Sequence, residues 1–271
     1  MALFFLNKES QAIFDNPEKF LYRVMPLDRI MEILEKNRWP FVSPTLWNDP
    51  FEKAFIEAEY KHNGTNFCLP IKPNKVSGDI HYTLFSACFT ETSESEAFWK
   101  TYSPNGDGIR LKVNASQFRD SLSQIKNFDI YIGKASYEDY KSLYKFQEDE
   151  TFWKDLQSKN TNETHLKLLL KKRLPFKYEN EVRILLLRKK PMLKSVAKVT
   201  LPKTISLIQG IKLDPRMGTY MAKMVKESFI NKGFQPEVIR KSRLYSKPNS
   251  TITFKTDIDL PSSDIKIYEL W

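Results

Sequence analysis

Residues 175–187 read PFKYENEVRILLL, and the way this stretch folds decides how the whole chain is read. Its apolar end has the length of a buried strand, and in an extended segment successive side chains alternate between faces. A strand over 178–188 therefore puts Glu179, Glu181 and Arg183 on one face and Asn180, Val182 and Ile184 on the other. Two readings follow. Either the charges form the solvated side of a half-buried strand, or a carboxylate pair points into a cleft, where one acid does chemistry and the other orients a hydroxyl or takes its proton. In the second reading Arg183 is the buried partner that holds Glu181 in register.

Strand and helix patterns continue on both sides. Upstream, a strand at Phe20–Val24 precedes a helix from about Pro26 to Lys36 whose stripe is Leu27, Ile30, Ile33 and Leu34, with proline in the first turn. A strand at Pro40–Ser43 runs into the turn of WNDPFE (47–52), residues 61–80 read as a loop, and YTLFSACFT (82–90) reads as a central strand. SESEAFWKTYS (93–103) is a helix opened by a Ser/Glu cap, and GIRLKVN (108–114) alternates as a strand. Residues 138–174 form a polar insertion of helical tendency. Downstream, AKVTLP (197–202) and SLIQGIKLD (206–214) lead to a helix over 215–232, whose stripe of Met217, Tyr220, Met221, Met224, Val225 and Phe229 reads as core. The architecture expected is a single mixed α+β domain over 1–271, its sheet assembled from distant segments.

Composition narrows the function classes. With 41% hydrophobic and 13% aromatic residues in 271, the chain is that of a folded globular protein. No apolar run approaches the ~20 residues of a membrane span, and MALFFLNKES (1–10) lacks the basic leader of a secretory signal; the expected location is the cytoplasm, with no membrane partner. Cys68 and Cys88 are too few for a disulfide framework, and they and the dispersed His62, His81 and His165 offer no metal-ligand spacing, so no metal is expected. NGDGIR (105–110) is not a phosphate loop. The net charge of +10 is uneven: residues 165–255 hold 22 Lys+Arg against 5 Asp+Glu, leaving 21 against 28 for the remainder. A basic half suits a polyanionic partner or an acidic protein surface. In it Tyr178, Phe229, Phe234 and Tyr245 interleave with the cations as candidate base-stacking groups.

The ordered series LYRV (21–24), FVSPTLWNDPFE (41–52), FSACFTETSESEAFWKTY (85–102), GDGIRLKV (106–113), YENEVRIL (178–185) and IQGIKLDPRM (208–217) resembles a widespread bacterial domain family over about residues 20–245. That family is in turn distantly similar to ADP-ribosyltransferases, including toxin and phage-defence types. The resemblance implies a split β-sheet cleft flanked by helices that takes NAD as substrate. It implies Arg23, with Tyr22, on an early strand; Ser86 or Thr90 on a middle strand; and Glu179-x-Glu181 on a late one. Glu181 would stabilise the positive charge that develops on ribose as the bond to nicotinamide breaks, Glu179 would orient or deprotonate the acceptor, and Arg23 would hold phosphate in a bidentate fork. Asn48, Trp99 and Tyr102 join the expected NAD contacts, and Asp49, Glu52 and Arg183 support them. Structural readings stand beside these. Arg23 could pair with Asp49 or Glu52, N-D-P could simply shape a turn and cap a helix, and Trp99 and Tyr102 could be core. The expected acceptor is nucleic acid, RNA before DNA, with protein as the rival and a neutralising antitoxin as a further partner. The alternatives are a non-catalytic nucleotide- or nucleic-acid-binding module and a metal-dependent nuclease built on Asp49, Glu52, Glu179 and Glu181.

Overall fold

The structure, a computed structural model, describes residues 2–57, 60–62, 64–67, 83–156, 161–188 and 194–247. Cys68, His81 and the greater part of the 61–80 loop lie outside them. The described strands are β1 (Leu3–Phe5), β2 (Phe20–Pro26), β3 (Arg38–Val42), β4 (Tyr60–His62), β5 (Thr65–Phe67), β6 (Thr83–Thr90), β7 (Gly108–Asn114), β8 (Asp129–Lys134), β9 (Ser136–Glu138), β10 (Lys171–Arg173), β11 (Glu181–Arg188), β12 (Val196–Thr200), β13 (Ile208–Leu213) and β14 (Ile239–Lys241). The helices are α1 (Lys8–Asp15), α2 (Leu27–Lys36), α3 (Pro50–Glu57), α4 (Glu96–Tyr102), α5 (Ala115–Leu122), α6 (Glu150–Leu156), α7 (Thr161–Leu168), α8 (Thr204–Leu207) and α9 (Thr219–Asn231). This is the mixed α+β architecture the sequence implies.

One sheet runs β1-β8-β11-β6-β2-β7-β13-β14, and it forks. β6 pairs with β11 along its whole length, Thr83 opposite Arg188 through Thr90 opposite Glu181. On its other edge β6 meets β2 only at Thr90–Tyr22 and β3 only at Ser86–Val42, and β3 carries β12. Strands β2 and β3 thus leave β6 in different directions, opening a split beside the end of β6 that faces Glu181.

Strand β11 explains why the charged residues are not a solvated face. Val182, Ile184 and Leu186 enter a core with Phe14 of α1, Ile30 of α2, Phe118 of α5 and Phe229 of α9, whereas Leu185 and Leu187 enter a second core with Phe55 of α3, Leu156 of α6 and Leu166 of α7. With apolar layers on both sides the strand is buried from Glu181 to Leu187, as a central strand covered on two faces must be. Glu181 and Arg183 lie at the end of the second layer, where burial demands partners.

Two expectations fail here. The methionine stripe is only half core: Met217, Val225 and Phe229 are buried, but Tyr220, Met221 and Met224 are exposed, because α9 packs through its Val225–Phe229 side alone. Phe229 and Phe234 are buried in the first core and present no face to a nucleic-acid base, unlike the exposed Tyr178 and Tyr245.

His165 on α7 is sealed in the second core with neither ring nitrogen hydrogen-bonded among the described residues, and burial pushes its pKa down from 6.5 to about 4. The unfolded chain therefore binds a proton between those values that the folded chain refuses, and stability falls as pH drops through about 6.5. Between pH 7.5 and 5.5 the loss from this group is about 1.5 kcal/mol. Urea unfolding at the two pH values checks it: His165→Leu should remove that part of the loss.

Candidate active site

The carboxylate pair forms, but not by strand alternation. The chain over Leu174–Glu179 is a 3-10 turn, and Asn180 closes it in the left-handed region, with φ 42° and ψ 51°, a conformation asparagine tolerates. Strand β11 begins only at Glu181, so the reading of one strand over 178–188 is corrected at its start. The two acids meet because the turn swings Glu179 back: Lys172 Nζ donates to Glu179 Oε2 at 2.5 Å and to Glu181 Oε2 at 2.9 Å.

Glu181 is fixed from every side. Arg183 donates Nε to Oε1 at 3.0 Å and Nη2 to Oε2 at 3.0 Å, and the Glu181 amide donates to the Tyr137 hydroxyl at 2.8 Å. Arg183 also binds Glu52 Oε1 and the Leu169 carbonyl, and lies 4.3 Å from the Trp47 ring centroid. Gly133, opposite Arg183 on β8, makes this possible, since a Cβ there would stand 2.4 Å from Leu170 Cδ1. Burial opposes the charge on Glu181, but Arg183 and Lys172 outweigh it and hold the carboxyl well below the usual range. At Glu179 burial wins, reinforced by Glu181 and Glu52 against Lys172, and its pKa is raised. The difference follows from the count: Glu52, Glu179 and Glu181 face Lys172 and Arg183, three carboxylates against two buried cations. Environments that push two acids apart suit them to different roles.

The three strands that carry the motif are neighbours in the order β11-β6-β2. Glu181 lies opposite Thr90, and Thr90 opposite Tyr22. Arg23 follows in the fork, with its guanidinium 5.6 Å from the Phe89 centroid and its Nη1 buried without a hydrogen-bond partner among the described residues. Burial lowers its pKa, and the neighbouring Cys88 and Tyr102 oppose that; Cys88 is in turn coupled to Glu181. Arg23 and the acids thus have Cys88 and Tyr102 as common neighbours. Arg23 does not pair with Asp49 or Glu52, which are taken by Arg173 and Arg183.

The remaining candidates divide. Thr90 sits at the acids, its Oγ1 accepting from the Thr92 amide at 2.9 Å. Ser86 lies opposite Leu185, four residues along β11 from Glu181 and about 13 Å away, so of the two middle-strand candidates Thr90 is the one that lies at the acids. Tyr102 is half-exposed, with its hydroxyl 3.5 Å from Glu179 Oε1, and Tyr178 shares that acid from its own turn. Trp99 is 1% exposed and its indole donates to Glu94 at 3.2 Å; this corrects its expected role as an NAD contact and agrees with its reading as core. Asn48 is exposed in the turn. Asp49 accepts from the Phe51 amide at 3.0 Å at the start of α3 and bonds Arg173, so N-D-P serves the turn, while Glu52 serves Arg183. Among the described residues no three His, Cys, Asp or Glu side chains are placed to hold a metal ion. No helix among them is long and apolar enough to cross a membrane.

Lys172 and Tyr137 are absent from the sequence reading. They are paired across β9 and β10, two three-residue strands inside and beside the polar stretch taken as helical. The one available signal was lysine, lysine, arginine at 171–173, which looks like solvated charge.

Residues 98–184 match a family model described as a protein of unknown function (DUF2971); the span contains Tyr102, Tyr137, Lys172, Glu179, Glu181 and Arg183. No curated protein matches the chain. Among solved structures, DarT of Thermus sp. 2.9 in complex with carba-NAD+ is similar at 11% identity, covering 83% of this chain and 96% of that chain, with a TM-score of 0.35.

Proposed function

We propose that the cleft binds NAD and transfers ADP-ribose to a nucleic acid, RNA before DNA, as toxin and antiviral effectors of this type do, with protein as the rival acceptor and a neutralising protein as a further partner. One observation carries the reading: Arg23, whose buried Nη1 has no hydrogen-bond partner among the described residues, shares the neighbours Cys88 and Tyr102 with a buried cluster that has one carboxylate in excess. A ligand with anionic phosphates and a cationic ring-bearing sugar complements both. NAD supplies a nicotinamide–ribose bond whose cleavage leaves positive charge on the sugar. Arg23 binds phosphate, Glu181 is the fixed anion that the charge meets, and Glu179, with the raised pKa, takes the proton of the acceptor. Tyr102 and Tyr178 frame the mouth.

A buried, unpartnered guanidinium nitrogen retained only for structure would be a liability. Arg23→Met should therefore leave the thermal midpoint unchanged or higher while NAD affinity, by titration calorimetry, falls about 10- to 100-fold, the worth of a charge-assisted hydrogen bond. Loss of stability with NAD affinity intact would count against this role.

A further inference from the structure

Glu179 depends for its charge on a residue outside the motif. The nitrogens of Arg183 are committed to Glu181, Glu52 and the Leu169 carbonyl, which leaves Lys172 as the one cation bonded to Glu179 among the described residues. Strand β10 aims it. Side chains alternate along a strand, and the residues on either side of Lys172 are anchored elsewhere: Lys171 Nζ on Glu138 at 2.6 and 2.8 Å, and Arg173 on Asp49 at 3.0 and 3.2 Å with its guanidinium 4.2 Å from the Phe51 centroid. Lys172, between them, is 7% exposed and lies 5.1 Å from the Phe176 centroid. Its partner across the ribbon, Tyr137, accepts the Glu181 amide. One two-stranded ribbon thus fixes both the backbone and the carboxylates of the pair.

We propose that Lys172 is a positioning residue that divides the work of the two glutamates, helping Arg183 keep Glu181 a permanent carboxylate while acting as the one bonded cation that draws down the pH at which Glu179 releases its proton. The proposal rests on the reading of Glu179 as the proton acceptor. The charged and titratable groups facing Glu179 are Lys172 from β10, Glu181 from β11, Glu52 from α3, Tyr102 from α4 and Tyr178 from its own turn. Arg183 stands behind Glu181, and Tyr137 adds a hydroxyl from β9. Of these Lys172 is the one cation in direct contact, and the tyrosine hydroxyls, Tyr102 at 3.5 Å among them, are weaker, neutral donors to the ionised form. Neutralising it leaves burial and two neighbouring carboxylates unopposed, so Glu179 would hold its proton to higher pH. The acid limb of a transfer profile would move up with it, lowering kcat at neutral pH more than it changes KM.

The test is carboxyl titration by carbon-13 NMR of glutamate-labelled protein, with Glu179 assigned from Glu179→Gln, in the wild type, Lys172→Met and Lys172→Arg. The Glu179 midpoint should rise by roughly 1–3 pH units in Lys172→Met and return close to the wild-type value in Lys172→Arg. A midpoint unchanged in folded Lys172→Met would overturn the proposal and leave Lys172 a packing residue. Should Lys172→Met not fold, Lys172→Gln, which keeps polar contact with both acids without the charge, is read by the same two outcomes. Titration needs no turnover, so absence of transfer by the wild type would count against the NAD reading without touching this result.

Discussion

Arg183→Met destabilises the fold by about 3–5 kcal/mol, the cost of removing one partner from a buried ionic network. The size follows from what is stranded. Arg183 is 1% exposed and is the bidentate partner of Glu181, the partner of Glu52 and the donor to Leu169. Without it three carboxylates share Lys172, and the chain over Leu169–Leu170 loses its anchor above Gly133. Urea unfolding at neutral pH measures the loss, and adding Glu181→Leu should recover part of it by removing one stranded charge. A solvated strand face predicts a change within about 0.5 kcal/mol.

Glu181→Gln, by contrast, keeps the shape and one acceptor oxygen for Arg183. Transfer from NAD should fall about 10²- to 10³-fold, the cost of deleting one preorganised electrostatic partner of a developing charge. Affinity for NAD should change far less, because the interaction grows only as the sugar becomes cationic. A pure binding module would be indifferent to the same change. Initial rates of nicotinamide release at saturating NAD separate the two.

The sequence carried much of this frame because its strongest signals are local. Strands β2, β6 and β7 and helix α2 follow from alternation and three-to-four spacing, and the order arginine, threonine, glutamate corresponds to three adjacent strands. Arg183 as the buried partner of Glu181 was also legible, since a cation two residues along a strand shares its face. What escaped were the places where a single backbone choice or a distant partner decides. Asn180 in the left-handed region ended the strand early, and no periodicity marks that. Lys172 reaches the acids because Glu138 and Asp49 hold its neighbours, and Asp49 lies 124 positions from Arg173. Trp99 and Tyr102 share a helix, yet Glu94 draws one indole inward while the tyrosine reaches Glu179. Met221 and Met224 remain exposed because the sheet meets α9 along a narrower strip than its apolar stripe.

On the proposed function, this cleft cleaves NAD and passes ADP-ribose on. Incubating the purified protein with NAD labelled in its adenylate half, with separate pools of RNA, DNA and cell protein and with Glu181→Gln in parallel, tests it most directly. The account predicts nicotinamide release and label entering the RNA pool with the wild type and not with the variant. No label in any pool and no nicotinamide released by the wild type would contradict it, and would leave Arg23 and the three buried glutamates as parts of a binding site without chemistry.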